Sequence, residues 1–211
     1  MKQNFPKKIP IFPLRGVIYF PKTNLPLNIF EDRYLQLVTD CMKTNKLMGM
    51  LQLKKGASKV YNIGCLGKIS HFEKTRDGRI LIKLTGITRF EIIKEIENKK
   101  LYREFNVQYD KFYKDTEREE LQNLQEKTLE MLFEKIKVFF KKNGLILNWK
   151  EFEKLNQAQK INTLAMISPF SDEEKQKLLE TVNLNSTINT LSEIVEFYMY
   201  EKDLGNKKTF Q

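Results

Sequence analysis

The apolar residues of this 211-residue chain repeat with two different periods, and the change between them constrains the fold more than any other feature. Up to about residue 110, short β-branched and aromatic runs alternate with turn residues. Beyond about residue 120, apolar side chains recur every three or four positions. A strand buries alternate residues and a helix buries one stripe, so neither half suits the other's structure. The chain is therefore expected to be α+β, with strands first and helices after. The boundary should fall near Tyr113 to Glu119, a charged stretch without apolar period. That gives a β subdomain over 1–115 and a helical subdomain over 116–211.

In the front half, Ile9 to Leu14 contains two prolines and is expected at a sheet edge or as an extended arm. Pro21 and Pro26 bracket an irregular stretch, Lys22 to Leu25. Phe30, Tyr34, Leu37, Val38 and Cys41 recur at helical spacing, which predicts one amphipathic helix over about 31–43. Leu47 to Leu53 suits a buried strand. Gly67 to Glu73 and Arg79 to Leu84 face each other across a turn containing Asp77-Gly78, a step that accepts the backbone angles of a tight hairpin. Thr88 to Ile96 and Tyr102 to Tyr109 read as two further strands. Short strands at this spacing, with one inserted helix, predict a small, partly closed β-barrel.

In the back half, Leu121, Leu124, Thr128, Leu132, Ile136 and Phe139 form a helical stripe that should stop at Asn143-Gly144. A second helix is expected over Ala158 to Ile167, ahead of Pro169. Ser171 and Glu174 have capping-box spacing and open a third helix to about Val182. A fourth should run from Thr187 to Leu204, with Gly205 as its stop. The four are expected to pack as a bundle.

The chain lacks the constellations that catalysis requires. Its one histidine, His71, falls inside an expected strand, and its two cysteines, Cys41 and Cys65, have no CxxC partner. Gly64-Cys65-Leu66-Gly67-Lys68 imitates the end of a phosphate loop. Asn62 and Ile69 occupy the positions that would need Gly and Ser or Thr, and a strand follows instead of a helix. No catalytic, cofactor or metal site is assigned. Two buried thiols fit a cytoplasmic setting, and neither a secretory leader nor a membrane span is read from the sequence.

The net charge of +10 is unevenly placed. Residues 1–115 carry 23 Lys+Arg against 11 Asp+Glu, whereas residues 116–211 carry 14 against 16. A basic half with Lys99-Lys100-Leu101-Tyr102-Arg103 and Lys111-Phe112-Tyr113-Lys114 offers the cation-plus-aromatic pattern that nucleic acid needs. RNA binding is therefore kept as the alternative reading. Lysine greatly outnumbers arginine, however, and that balance also arises from genome composition.

Several spaced segments point more specifically. They are Ile9-Pro10-Ile11-Phe12-Pro13-Leu14-Arg15-Gly16-Val17, Tyr19-Phe20-Pro21, Leu25-Pro26-Leu27-Asn28-Ile29-Phe30-Glu31-Asp32-Arg33-Tyr34, Asp77-Gly78-Arg79 and Leu84-Thr85-Gly86-Ile87-Thr88-Arg89-Phe90. Together with Glu174 to Glu180, they resemble the N-terminal substrate-binding domain of Lon proteases over about 9–200. The resemblance implies a PUA-like barrel followed by a helical bundle. It also implies a non-catalytic module for unfolded or extended polypeptides that acts as an adaptor or regulator of proteolysis, with a Lon-type protease as partner. Nothing in the chain matches that family's ATPase or Ser-Lys peptidase, so a stand-alone domain is expected. Lys22, Asn28 and Asp32 depart from the family's frequent glycine, histidine and proline. The candidate polypeptide contacts are Phe12, Phe20, Leu27 and Phe30, rimmed by Glu31, Asp32 and Arg33. The competing reading for Phe12, Leu27 and Phe30 is barrel core, and for Glu31 and Arg89 a structural ion pair.

Overall fold

A computed structural model describes residues 4–56, 58–116 and 126–207, excepting the side chains of 126–127 and 201–207. Six strands come first: β1 (Lys8–Leu14), β2 (Asn24–Ile29), β3 (Leu47–Gln52), β4 (Ile63–Lys74), β5 (Ile80–Ile96) and β6 (Arg103–Gln108). Helix α1 (Asp32–Met42) is inserted between β2 and β3, and a 3₁₀ segment (Asp110–Thr116) follows β6. Helices α2 (Glu126–Lys142), α3 (Trp149–Glu153), α4 (Gln157–Ile167), α5 (Asp172–Glu180) and α6 (Leu184–Lys207) complete the chain.

The strand order is β2-β5-β4-β3-β1-β6, and β5 also pairs with β6, which closes a five-stranded ring. Inside the ring lie Ile9, Ile11, Leu51, Leu66, Phe90, Phe105 and Val107, contributed by all five strands. The opposite face buries Phe12, Met48, Met50, Cys65, Ile82 and Leu84 beneath Tyr34, Leu37, Val38 and Cys41 of α1. This is the expected partly closed barrel with its inserted helix.

Strand β5 is longer than the sequence suggests. Arg79 to Leu84 and Thr88 to Ile96 are one strand of 17 residues, with register shifts against β4 and β6. Its first half pairs with β2 and β4, and its last residues with β6. The crossing point is Gly86, where a Cβ would sit 2.1 Å from the Phe20 carbonyl oxygen. Backbone approaches backbone there, so no side chain fits. Lys22 donates its N–H to Gly86 O at 3.0 Å from a φ of +62°. Such an angle favours glycine, the residue frequent at this point in the resembled family.

The prolines required two corrections. β1 is an interior strand, parallel to β3 and antiparallel to β6, and not an edge. The Lys7 carbonyl accepts from Val107 N on the β6 side, and the Leu14 carbonyl from Leu53 N on the β3 side. Alternation then turns Pro10 toward β3 and Pro13 toward β6. Pairing with β3 begins at Ile11, after Pro10, and β6 reaches only as far as Ile11, short of Pro13. Each missing donor thus falls outside the partner it faces. The true edge is β2, which begins inside the stretch expected to be irregular and runs on past it, with Pro26 opposite Lys83 of β5. Gly86 N donates to Thr23 O, so alternation turns the Pro26 nitrogen away from β5, where no ladder bond is lost.

The helices follow the expected stripes. α2 buries Leu129, Leu132, Ile136, Phe139 and Phe140 and ends at Lys142, followed by a turn in which Gly144 has a φ of +64°; Leu121 and Leu124 lie outside the described residues. Ser171 opens α5 with both capping-box bonds formed. α5 stops at Glu180, two residues short of expectation, and α6 continues past Gly205 to Lys207. The short helix α3 had no readable period. The core of these helices also takes in Ile18, Phe20, Ile63 and Phe112 from the front half, so the two halves share apolar packing.

Candidate polypeptide-binding surface

The seven sequence candidates separate into three environments. Phe12 and Phe20 are core residues and line no surface. Phe12 packs on Tyr34 with ring centroids 4.1 Å apart, because its side of β1 faces α1. Phe20 joins the helical core, and its carbonyl accepts from Thr23 Oγ1 at 2.7 Å. Leu27 is half-buried against the α1 side of the sheet. Phe30 is 64% exposed, held where β2 ends and α1 begins, and Glu31, Asp32 and Arg33 beside it are also exposed.

The corner carrying Phe30 is tightly built. Glu31 is the N-cap residue of α1, and its carbonyl accepts from Tyr34 N and Leu35 N at 2.8 and 2.9 Å. Its side chain does not cap the helix; one carboxylate oxygen takes two donors from Arg33, at 2.9 and 2.7 Å. The Arg33 guanidinium lies 4.5 Å from the centre of the Tyr34 ring. Tyr34 in turn donates its hydroxyl to Pro13 O at 3.3 Å, and burial raises its pKa, partly opposed by Arg33. The result is an anchored aromatic ring, Phe30, projecting beside charges that satisfy one another. Such a surface offers apolar contact without moving protons or electrons.

Next to this corner, β2, β5 and the outer part of β4 present an open face. Register and exposure place Asn24, Pro26 and Asn28 opposite Thr85, Lys83 and Leu81, with His71 and Glu73 opposite Lys83 and Leu81 on the other side. Thr85 Oγ1 is hydrogen-bonded to Asn24 and Ser70 at 2.7 and 2.8 Å, which stitches the three strands together. Leu81 and Lys83 were not among the sequence candidates. Their alternation with the buried Ile80, Ile82 and Leu84 is the signal that marks them as outward.

Four of the residues behind the nucleic-acid alternative, Lys100, Tyr102, Arg103 and Phe112, are engaged within the protein. Tyr102 is buried and donates to Asp40 at 3.0 Å, Lys100 pairs with Glu104 at 2.9 Å, and Arg103 pairs with Glu95 through bonds of 2.6 and 2.7 Å. Phe112 is buried under Arg89, 4.4 Å from the guanidinium to the ring centre. Of the aromatics in those two segments, Tyr113 is the exposed one.

Among the described residues, no group of His, Cys, Asp and Glu could hold a metal ion, and no helix is long and apolar enough to cross a membrane. Gly64 of the apparent phosphate loop lies within β4, where a Cβ would be 2.3 Å from Met50 O. Cys41 and Cys65 are buried free thiols, as expected. His71 is exposed on β4, 3.7 Å from Glu73.

Comparison with known proteins agrees with this architecture. The family model described as the ATP-dependent protease La (LON) substrate-binding domain matches residues 8–196. Among curated relatives, the Lon protease of Dictyoglomus thermophilum is 24% identical over 220 residues, covering 97% of this chain and 26% of the relative. The Lon protease of Buchnera aphidicola subsp. Baizongia pistaciae is 28% identical over 196 residues, covering 90% of this chain and 25% of the relative. The chain thus spans about a quarter of the length of these relatives. Two solved structures share the fold. One is a Lon N-terminal domain protein from Xanthomonas campestris, with a TM-score of 0.63 at 21% identity, covering 90% of this chain and 97% of that one. The other is the N-terminal domain of a Mycobacterium avium complex Lon protease, with a TM-score of 0.67 at 14% identity, covering 90% and 98%. With a strand ring, an inserted helix and a helical extension all within the matched span, the chain belongs to the ATP-dependent protease La (Lon) substrate-binding domain family.

Proposed function

We propose that this domain holds unfolded or extended polypeptides by apolar contact at the Phe30 corner, without transforming them, and so serves proteolysis as an adaptor or regulator in the cytoplasm. The observation that carries the reading is a large aromatic side chain, 64% exposed, on a rigid corner of a domain from a substrate-binding family. The Glu31–Arg33 pair completes the contact as a polar rim, whereas Leu27, turned to the α1 side of the sheet, lies on the other face of β2. A Lon-type protease is the partner that family membership suggests.

The test is fluorescence anisotropy with a labelled, permanently unfolded model protein, comparing the parent domain with Phe30→Ser. Burying the exposed part of one phenylalanine contributes about 1–2 kcal/mol, so binding should weaken roughly five- to thirtyfold. The unfolding free energy should stay within about 0.5 kcal/mol of the parent's, because an exposed side chain supports little of the core. Undiminished affinity in Phe30→Ser would place the contact elsewhere. No affinity in the parent at tens of micromolar would remove the reading.

A further inference from the structure

The open face of β2, β5 and β4 suggests which polypeptides the domain prefers, an inference that rests on the polypeptide-binding reading above. Residues 68–83 carry five cations, Lys68, Lys74, Arg76, Arg79 and Lys83, against two carboxylates, Glu73 and Asp77. Asp77 is held by Arg79 at 2.7 Å and by Thr75, and Glu73 lies beside His71. β2 is uncharged throughout, and Glu31 at the Phe30 corner is matched by Arg33, so Asp32 is the remaining carboxylate there. Leu81, 38% exposed, pairs with Asn28, two residues before Phe30. Phe30 directly follows the last β2 residue, Ile29, which is buried opposite Ile80, and Phe30 is exposed at the end of this face. Lys83 and Lys68 lie on that side as well, both exposed.

We propose that this face takes an extended polypeptide whose apolar residues seat on Phe30 and Leu81 and whose acidic flanks meet Lys83, Lys68 and the cations of the hairpin tip. Charge complementarity makes the occupant an apolar segment with acidic neighbours, and disfavours one flanked by lysine or arginine. Polar residues around the apolar contact supply selection more than strength, since exposed charge pairs are individually weak and screened by salt.

Three labelled peptides test this, sharing one aromatic and aliphatic core and flanked by Asp/Glu, Ser or Lys. At low ionic strength the acidic peptide should bind about tenfold tighter than the basic one, with the serine peptide between them. The ratio should shrink toward one as salt rises well above physiological strength. The double change Lys68→Glu with Lys83→Glu lies on exposed positions and should reverse the order, while a circular dichroism melt reports that the fold is intact. Equal binding of all three peptides overturns the charge selection and leaves polypeptide recognition standing. Binding by none of them removes both.

Discussion

Replacing Arg89 by methionine is the sharpest test of how the barrel and the helices are joined. Arg89 sits on β5 with its side chain about nine-tenths buried, and it ties that strand to two other elements, the 3₁₀ segment and the end of α5. Its guanidinium donates to both carboxylate oxygens of Asp115, at 2.9 and 2.7 Å. It also donates to the carbonyls of Leu179, at 3.1 Å, and Thr181, at the end of α5. Arg89→Met keeps most of the side-chain volume, so the loss is mainly electrostatic. Asp115 would keep the Arg89 backbone N–H at 2.8 Å and lose every donor from the guanidinium. Breaking one side of a buried pair costs about 3–5 kcal/mol, against a total stability on the order of 5–15 kcal/mol. In a domain of this size that is a fall in Tm of roughly 10 °C. Urea unfolding followed by far-ultraviolet circular dichroism would measure it, with Asp115→Leu and the double variant completing a thermodynamic cycle. The double variant should be less destabilised than the sum of the two single ones, because no charge is left buried alone. A methionine variant within 1 kcal/mol of the parent, or strictly additive changes, would refute the reasoning.

Three further outcomes follow from the packing and the buried thiols. Gly86→Ala should leave little folded protein at 37 °C, because its Cβ would lie 2.1 Å from the Phe20 carbonyl oxygen, a backbone atom that no side-chain rotation can move; yield and melting curves would show it. Ser171→Ala removes one half of the α5 capping box and should cost about 1 kcal/mol in urea titrations. Burial pushes the Cys41 thiol up to about 12 from its ordinary 9, and Cys65 well above that ordinary value. Both thiols should therefore resist a disulfide reagent at pH 8 until the chain unfolds. The Cys41 contribution to stability is complete below pH 9 and should be lost as pH rises from 9 toward 12, with Cys65 acting in the same direction.

The sequence revealed features that one local period or one local cap determines. The α1 stripe from Tyr34 to Cys41, the Asp77-Gly78 hairpin and the Ser171–Glu174 box each need only neighbouring residues to be recognised. Features set by distant partners stayed hidden. Pro10 and Pro13 look like edge markers until both neighbouring strands and their limits are known. β2 lacks any apolar run because its outward residues are Asn24, Pro26 and Asn28. The pairing of Arg89 with Asp115 and two carbonyls spans 92 residues at its widest, beyond any spacing rule. Among the candidate contacts, the exposure of Phe30 and the burial of Phe12 and Phe20 could not be told apart by sequence pattern alone.

The placement of the β1 prolines leaves the barrel with a single permitted phase. Deleting Phe12 would swing Pro13 from the side where β6 has ended to the side where β3 is paired, confronting a carbonyl with a nitrogen that has nothing to donate. Sliding the strand by one position would also carry Ile9 and Ile11 out of the ring interior. The two imino acids therefore act as a ratchet on strand assembly, excluding neighbouring alignments before any side chain has packed.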